Sequence, residues 1–244
     1  MQTVAVVLAG GSGSRFGSGE PKQLRTLAGR TLIEHCVTAF DQATGVDEVL
    51  VVAAAAITGQ VGASLTGIAK LRGVIAGGAS RTDSTRAALT WLLADRGGPA
   101  DPGGSDCKVL FHDAARPLVD QRIIADCITA LDRWQAVGVV VPSSDTVVEV
   151  ADGRIRRVLN RELLGRCQTP QGFLLSVLSR AYQLAGADPE FARRPATDDC
   201  GVVLRYLPAV PVGAVTGSER NLKVTYPADL AVAELLLTSG ESAG

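Results

Sequence analysis

The sequence lacks long hydrophobic runs, an excess of charge of either sign, and paired cysteines. Its 244 residues carry 24 basic and 25 acidic side chains, for a formal net charge of −1. This balance excludes the strong positive field that attracts nucleic acid or an anionic membrane surface. No apolar stretch approaches the roughly 20 residues that a transmembrane helix needs, and we expect no signal peptide before the first strand-like run. We therefore expect a cytoplasmic protein with no nucleic-acid and no membrane partner, whose anion sites are local.

Reactive side chains are also scarce. The chain has five cysteines and two histidines. The cysteines are odd in number, widely spaced and form no CxxC pair, so we expect buried, reduced thiols and neither a disulfide framework nor a zinc site. They are Cys36, Cys107, Cys127, Cys167 and Cys200. His35 lies in an amphipathic segment and His112 in a strand-like run, and we interpret both as packed residues rather than catalysts.

Short apolar runs alternate with amphipathic segments along most of the chain. Almost wholly apolar strands are typical of a parallel sheet covered on both faces. The alternation predicts an α/β, Rossmann-like fold, with a mostly parallel twisted sheet, helices on both faces and a single domain over residues 1–244. The runs predicted as strands are 3–9, 47–54, 72–78, 107–113 and 136–144, and the predicted helices are 31–43, 82–95, 120–134 and 227–237. The second helix is expected to be capped by Thr82 or Asp83.

The alternation changes after Ser144. Apolar and polar residues then follow one another around Asp152-Gly153, a pattern that predicts a β-hairpin. We expect this arm, about residues 145–163, to protrude from the sheet. Its apolar side chains need cover, so we expect the arm to pack on another subunit.

The most informative segment is "VVLAGGSGSRFGSGEPKQL", Val6 to Leu24. A strand that ends in glycines presents clustered backbone N–H groups, which form a site for phosphate. The segment is not a dinucleotide-binding GxGxxG loop, because Phe16 stands where the last glycine belongs, and it lacks the GK[ST] of a P-loop. Arg15 and Lys22 would converge on one polyphosphate. The alternative is a flexible turn with solvated charges.

Further motifs follow this loop in a characteristic order. They are "HDAARPLV" (112–119), "DTVVEV" (145–150), "QTPQGF" (168–173), "TDD" (197–199) and "NLKVTYPADLAVAE" (221–234). Together with "LAGGSGSRFG…PKQ", they resemble the 2-C-methyl-D-erythritol 4-phosphate cytidylyltransferase family nearly from end to end. The related ribitol-5-phosphate cytidylyltransferases share most of these motifs.

The resemblance implies a GT-A-like nucleotidyltransferase fold and a reaction of CTP with a sugar-alcohol phosphate. For methylerythritol phosphate, the products are 4-diphosphocytidyl-2-C-methyl-D-erythritol and pyrophosphate, in non-mevalonate isoprenoid biosynthesis. The alternative acceptor, ribitol 5-phosphate, would give CDP-ribitol. An anionic phosphate oxygen needs no general base. The reaction needs cations to offset the repulsion between two polyanions, with Mg²⁺ as the expected cofactor.

The resemblance also assigns site residues. The catalytic cations would be Arg15, Lys22 and Lys223. The nucleotide-binding residues would be Ala9, Gly10, Gly11, Gly13, Gly78, Arg81 and Ser84. The acceptor-binding residues would be Asp113, Arg116, Thr146, Arg161, Thr169 and Thr197, of which Asp113 is also the candidate metal ligand. In the family, the arm that carries Thr146 and Arg161 reaches the neighbouring subunit's site, so a homodimer is expected.

Alternatives remain for several of these residues. Asp113 and Arg116 would also suit an ion pair that only holds the loop, and Thr197 would suit a helix cap. The chain has "LAGG" where methylerythritol enzymes commonly have "PAAG", Arg220 before the Asn of "NLK", and no Trp near "QTPQ". These departures concern the acceptor, for which methylerythritol phosphate stays favoured. A non-catalytic nucleotide-binding protein and an NAD-dependent oxidoreductase are the other hypotheses.

Overall fold

The computed structural model describes residues 1–11, 16, 21–96 and 106–241. The strands are β1 (Thr3–Ala9), β2 (Thr26–Leu27), β3 (Arg30–Thr31), β4 (Glu48–Ala53), β5 (Leu71–Ala76), β6 (Lys108–Asp113), β7 (Ala136–Pro142), β8 (Val148–Ala151), β9 (Arg154–Val158), β10 (Gly165–Leu174) and β11 (Val212–Thr216). The helices are α1 (Leu32–Gln42), α2 (Thr58–Ser64), α3 (Arg81–Asp95), α4 (Gln121–Ala130), α5 (Leu175–Ala187), α6 (Pro189–Arg193), α7 (Asp199–Tyr206) and α8 (Pro227–Glu241).

Seven of these strands form one sheet in the order β11-β7-β10-β6-β1-β4-β5. β10 runs antiparallel to both of its neighbours, β6 and β7. The other pairs in the sheet are parallel. The carboxyl ends of β1, β4, β5 and β6 therefore lie at one edge, where ligands bind in open α/β sheets. The predicted α/β fold with a mostly parallel sheet is confirmed.

Two apolar clusters cover the two faces of the sheet. One includes Ile33, Phe40 and Ile124 from α1 and α4, and the other includes Leu92 and Leu178 from α3 and α5. Phe40 is fully buried, and truncation of such a side chain to Ala typically costs about 3–5 kcal/mol of folding free energy. Among the described helices, none combines the length and the hydropathy that crossing a bilayer would take.

The start of α3 differs from the prediction. Its N-cap is Ser80, whose side chain accepts a hydrogen bond from the backbone N–H of Asp83, and the Asp83 carboxylate accepts from the N–H of Ser80. This is a capping box, which satisfies two donors that the helix leaves unpaired. The cap therefore lies two residues before Thr82, and Asp83 is the third residue of the helix rather than its cap.

Residues 165–174, for which no strand is predicted, form the ten-residue β10. Its polar Gln168, Thr169 and Gln171 are buried, and they interrupt the apolar pattern by which the other strands were predicted. The expectation of buried thiols is correct for four of the five cysteines. Cys167, at the start of this strand, is exposed, because β10 extends past the core before residue 168.

Residues 148–158 form a two-stranded antiparallel hairpin that is separate from the main sheet. Asp152 and Gly153 occupy its turn with φ of +52° and +70°, as a two-residue type I′ turn requires. Its side chains Val150, Ile155 and Val158 are 61%, 67% and 63% exposed. These three side chains form an exposed apolar patch on one short hairpin.

Candidate active site

A cavity of about 280 Å³ opens at the carboxyl edge of the sheet. Gly10 and Gly11 after β1, the start of α3, the end of β6 and the segment before α8 surround it. Its described lining consists of Leu8, Gly10, Gly11, Lys22, Gln23, Ala79, Ser80, Arg81, Ser84, Asp113, Ala115, Lys223 and Thr225. Seven of the predicted site residues therefore meet in one place: Gly10, Gly11, Lys22, Arg81, Ser84, Asp113 and Lys223.

Gly10 and Gly78 pack closely against side chains of α3. A Cβ on Gly10 would lie 2.6 Å from Ser84 Oγ, and a Cβ on Gly78 would lie 2.2 Å from Asp83 Cβ. The Gly78 separation is too short for real atoms and involves the Cβ of the capping-box residue Asp83, so residue 78 needs glycine for packing alone. At residue 10 the short contact is with the end of the Ser84 side chain. The Gln23 amide holds the base of the loop by donating to the carbonyls of Ala9 and Gly11, at 2.7 and 2.9 Å.

Long-range contacts bring cations to this cavity from opposite ends of the chain. Lys22 Nζ donates to the Val224 carbonyl at 2.8 Å, across 202 positions of sequence. Lys223 Nζ lies 2.6 Å from Asp113 Oδ2. The backbone N–H of Val224 donates to the Ala115 carbonyl. The segment before α8 is thus tied to both the first loop and the end of β6.

Asp113 lies between two cations. Besides Lys223, Arg81 Nε lies 3.3 Å from Asp113 Oδ1. Burial alone would raise the pKa of this carboxyl, but the charges of Arg81 and Lys223 together hold it well below its ordinary value. Asp113 is therefore ionised, and three cations face one carboxylate in the described lining. The local field favours an anionic ligand although the whole chain is nearly neutral.

Arg81 has a second carboxylate partner inside the protein. Its Nη1 lies 2.8 Å from Oδ2 of the fully buried Asp199. Asp199 Oδ1 accepts hydrogen bonds from the hydroxyls of Thr85 and Tyr182, at 3.1 and 2.6 Å. Burial would lower the pKa of Arg81, but the charges of Asp199 and Asp113 raise it above its ordinary value. Arg81 is thus a fixed, permanently charged group.

A second cavity of about 230 Å³ adjoins the first and shares Arg81, Asp113 and Lys223 with it. The rest of its described lining is Arg116, Cys167, Gln168, Thr169, Gln171, Thr197 and Asp198. Four of the predicted acceptor-binding residues, Asp113, Arg116, Thr169 and Thr197, line this space. The cap of α7 is Asp198 rather than Thr197, since the Asp198 side chain accepts from the N–H of Gly201.

Arg116 does not make the ion pair with Asp113 that was the alternative to a binding role. Its Nη1 donates to the Asn221 carbonyl at 2.8 Å and its Nη2 to the Cys167 carbonyl at 3.3 Å. Burial lowers the pKa of Arg116. The buried Asn221 in turn donates to the Thr169 carbonyl at 2.9 Å. Arg116 and Asn221 therefore join the segment that carries Lys223 to β10.

His112 lies directly beneath this wall. The ring is fully buried and packs edge-on against Phe40, with centroids 5.1 Å apart. Its Nε2 is 3.0 Å from the Arg116 carbonyl oxygen, and its Nδ1 is 3.1 Å from Thr169 Oγ1. The Thr169 oxygen also accepts from the Asp113 N–H at 3.0 Å. Burial lowers the pKa of His112 to about 4, so the ring is neutral near pH 7.

The remaining predicted residues lie elsewhere. Arg15 and Gly13 fall outside the described residues. Thr146 and Arg161 are exposed on and beside the hairpin and line neither cavity, and Arg161 Nη1 donates to the Ser144 carbonyl. Ala9 is buried behind the cavity wall.

Sequence reasoning missed several residues that build the site. The main ones are Gln23, Gln171, Asp199 and Asn221. Gln23 stands next to Lys22 in "PKQ", a signal that could have found it. Gln171 accepts from the backbone N–H of Asp199 at 3.1 Å. No local pattern predicts that contact, because it joins two segments through the folded core.

The described residues contain no group of three or more His, Cys, Asp or Glu side chains arranged to hold a metal. Asp113 is the sole carboxylate in the described lining of the first cavity. A single carboxylate fits a metal ion that is coordinated mostly by oxygens of a bound phosphate and of water, and not one coordinated only by protein side chains.

Solved structures share this architecture. The 4-diphosphocytidyl-2C-methyl-D-erythritol synthase from Anaerococcus prevotii DSM 20548 superimposes with a TM-score of 0.80 at 24% identity, over 97% of this chain and 98% of its own, a likeness of fold. The 2-C-methyl-D-erythritol 4-phosphate cytidylyltransferase from Thermus thermophilus has a TM-score of 0.72 at 29% identity, over 96% and 98% of the two chains. The fold and the cation-lined cavity define the chain as a nucleotidyltransferase.

The sequence model of the 2-C-methyl-D-erythritol 4-phosphate cytidylyltransferase family matches residues 3–239. The chain belongs to this family. A relative of that name from Thermobifida fusca (strain YX) is 51% identical, over 98% of this chain and 94% of the relative. A bifunctional ribulose 5-phosphate reductase/CDP-ribitol pyrophosphorylase from Haemophilus influenzae is 36% identical, over 98% of this chain and 48% of the relative.

Proposed function

We propose that the chain transfers the cytidylyl group of CTP to 2-C-methyl-D-erythritol 4-phosphate, in non-mevalonate isoprenoid biosynthesis. The products are 4-diphosphocytidyl-2-C-methyl-D-erythritol and pyrophosphate. The observation that carries this proposal is the convergence of Lys22, Arg81 and Lys223 on one cavity beside a glycine-rich backbone. Three cations suit a triphosphate and a second phosphate, whose mutual repulsion opposes their reaction.

The two adjoining cavities suggest how the substrates are arranged. The phosphates of CTP would lie in the first cavity, against the glycines and Lys22, and the acceptor in the second. Arg81 and Lys223 line both, so they would contact the α-phosphate where the two substrates meet. A phosphate oxygen of the acceptor attacks the α-phosphorus and forms the new P–O bond. The bond from that phosphorus to the α–β bridging oxygen breaks, and pyrophosphate leaves with that oxygen.

The nucleophile needs no base, because a phosphate monoester is largely ionised near pH 7. The cations therefore supply the main catalytic effect by stabilising negative charge as the bonds change. Arg15 is proposed to join them by its place in the motif.

We further propose Mg²⁺ as the cofactor. Asp113 would be its one protein ligand from the first cavity, and phosphate oxygens and water would supply the rest, the mode in which Mg²⁺ usually binds nucleotides. When bound, the cation would neutralise phosphate charge. Asp113 would then exchange part of its pairing with Lys223, which becomes available to a phosphate.

A homodimer is the proposed functional unit, with the hairpin arm completing the partner's site. Thr146 and Arg161 line neither cavity of their own chain, and Arg161 is exposed. Its guanidinium would bind the acceptor's phosphate in a bidentate manner. We propose that the protein acts in the cytoplasm, without nucleic-acid or membrane partners.

Pyrophosphate release tests the reaction and the acceptor together. The chain would be assayed with CTP and Mg²⁺, and with either 2-C-methyl-D-erythritol 4-phosphate or ribitol 5-phosphate. We expect kcat/KM to be at least about tenfold higher for the methylerythritol substrate, the discrimination that about 1.4 kcal/mol provides. Ribitol phosphate is the second candidate because of the Haemophilus influenzae relative. Equal or reversed values would reject the acceptor assignment, and no release with either would reject the transferase.

A further inference from the structure

His112 is a polar side chain that is fully buried in β6. The reaction proposed above does not use it. The donors and acceptors around its ring determine where its proton lies. The Arg116 carbonyl can only accept, so Nε2 of the ring must carry hydrogen to make its 3.0 Å contact. The Cys36 thiol points at the same carbonyl oxygen, at 3.4 Å, and that oxygen has two lone pairs for the two donors.

A neutral ring with hydrogen on Nε2 has a bare Nδ1, which can only accept. The Thr169 hydroxyl must therefore donate its proton to Nδ1, over 3.1 Å. Full burial favours this neutral state, because a charged ring would lose its hydration. The tautomer follows from the partners of both nitrogens, since hydrogens are inferred from the network.

The Thr169 oxygen is then restricted in what it can offer a ligand. Its proton is committed to His112, and one lone pair accepts the Asp113 N–H at 3.0 Å. One lone pair remains on this oxygen, and Thr169 lines the second cavity. A phosphate presents acceptor oxygens and cannot use this lone pair. An alcohol hydroxyl can donate to it.

We propose that His112 is a positioning residue that makes the Thr169 hydroxyl a hydrogen-bond acceptor, so that this wall of the second cavity receives a hydroxyl of the acceptor alcohol and not its phosphate. The inference rests on the proposed function, which places the acceptor in that cavity. The two ends of the alcohol phosphate are then bound by different groups: Thr169 accepts a hydrogen bond from a hydroxyl, and cationic side chains bind the phosphate.

Nitrogen NMR of the imidazole tests the first step without any substrate. The chain has two histidines, so the variant His35→Gln leaves His112 as the single imidazole. The replaced ring lies in α1, with its Nε2 2.8 Å from the Leu27 carbonyl. In ¹⁵N-labelled protein near pH 7, we expect hydrogen on Nε2 and a bare Nδ1. Hydrogen on Nδ1 would overturn the inference while leaving the proposed reaction untouched.

Two substitutions at His112 separate its two hydrogen bonds. In His112→Asn, the side-chain amide oxygen lies close to the position of Nδ1 and can still accept from the Thr169 hydroxyl. In His112→Gln, the side-chain amide nitrogen lies close to the position of Nε2 and can still donate to the Arg116 carbonyl, but Thr169 loses its acceptor. For His112→Gln we expect the KM of the alcohol phosphate to rise about tenfold, the loss of one hydrogen bond. We expect the KM of CTP to stay within about twofold. His112→Asn should restore most of the loss, and His35→Gln should have no effect.

An equal rise in both KM values, or equal behaviour of the Asn and Gln variants, would mean that His112 only supports the fold. If either variant fails to fold, Thr169→Val gives a second test. With the full acceptor, it should lower kcat/KM about tenfold. The same variant would be assayed with analogues of the alcohol phosphate that each lack one hydroxyl. With the analogue that lacks the hydroxyl bound by Thr169, Thr169→Val should cause no further loss of kcat/KM. Equal losses on every analogue would overturn the inference. A wild-type chain inactive with CTP and both acceptors would instead reject the proposed function.

Discussion

Lys22→Met is the substitution that best separates catalysis from folding at this site. In the structure, Lys22 Nζ donates to the Val224 carbonyl at 2.8 Å, so the change removes a hydrogen bond and a cation together. The hydrogen bond contributes about 1 kcal/mol to folding, which lowers Tm by about 2–4 °C in a chain of this size. The loss of the cation from a cavity that we propose binds phosphates should lower kcat at least about 100-fold, or about 2.7 kcal/mol.

The chain offers a matched control. Lys70 Nζ donates to the Ala43 carbonyl, also at 2.8 Å, but lines neither cavity. Lys70→Met should lower Tm by a similar amount and leave kcat within about twofold. Pyrophosphate release at saturating substrates, measured well below both transitions, gives kcat, and calorimetry gives Tm. If the two variants lost activity equally, the electrostatic account of Lys22 would be wrong.

Three further predictions follow from packing and burial. Gly78→Ala should lower Tm and weaken CTP binding, because its Cβ would lie 2.2 Å from Asp83 Cβ. As a control, the Cβ of Gly62→Ala would meet nothing within 4 Å, so this change should raise the stability of its helix by about 0.5–1 kcal/mol. An unchanged Tm in calorimetry and an unchanged CTP affinity in titration of Gly78→Ala would contradict this. Asp199→Asn should lower the free energy of unfolding by about 1–3 kcal/mol, since Arg81 loses its fully buried anionic partner and keeps only the Asp113 carboxylate, at 3.3 Å; an unchanged urea midpoint would contradict this. Ile155→Glu, at a side chain 67% exposed, should abolish the dimer in light scattering while the circular dichroism spectrum still shows a folded chain; an intact dimer would contradict the role proposed for the arm.

Local patterns were sufficient for the parallel part of the fold. β1 was predicted because it is almost wholly apolar, and β6 because Val109, Leu110 and Phe111 form its apolar centre; both strands are buried. α1 was predicted because its apolar residues repeat at helical spacing. β10 was not predicted. It carries buried glutamines that bond across the fold, such as Gln171 to Asp198 at 2.7 Å, and such residues make a buried strand resemble a polar loop.

The site divides in the same way. The residues proposed to contact a ligand stand in sequence motifs: Lys22, Asp113 and Lys223 were all found from the sequence, and they meet at one cavity. Residues that hold those groups in place make their contacts through tertiary structure. Asp199 fixes Arg81 across 118 positions, through a contact 2.8 Å long. Neither residue's immediate neighbours in sequence contain that information.

His112 shows what sequence reasoning can recover here. It was interpreted as a packed residue, and it is packed, but a fully buried imidazole must place hydrogen-bond partners at both nitrogens or lose free energy. In "CKVLFHDAARP", a histidine that ends an apolar run therefore predicts two polar partners among the neighbouring site residues. The structure supplies them in Arg116 and Thr169. A polar residue in a strand covered on both faces is thus informative through the partners that its burial requires.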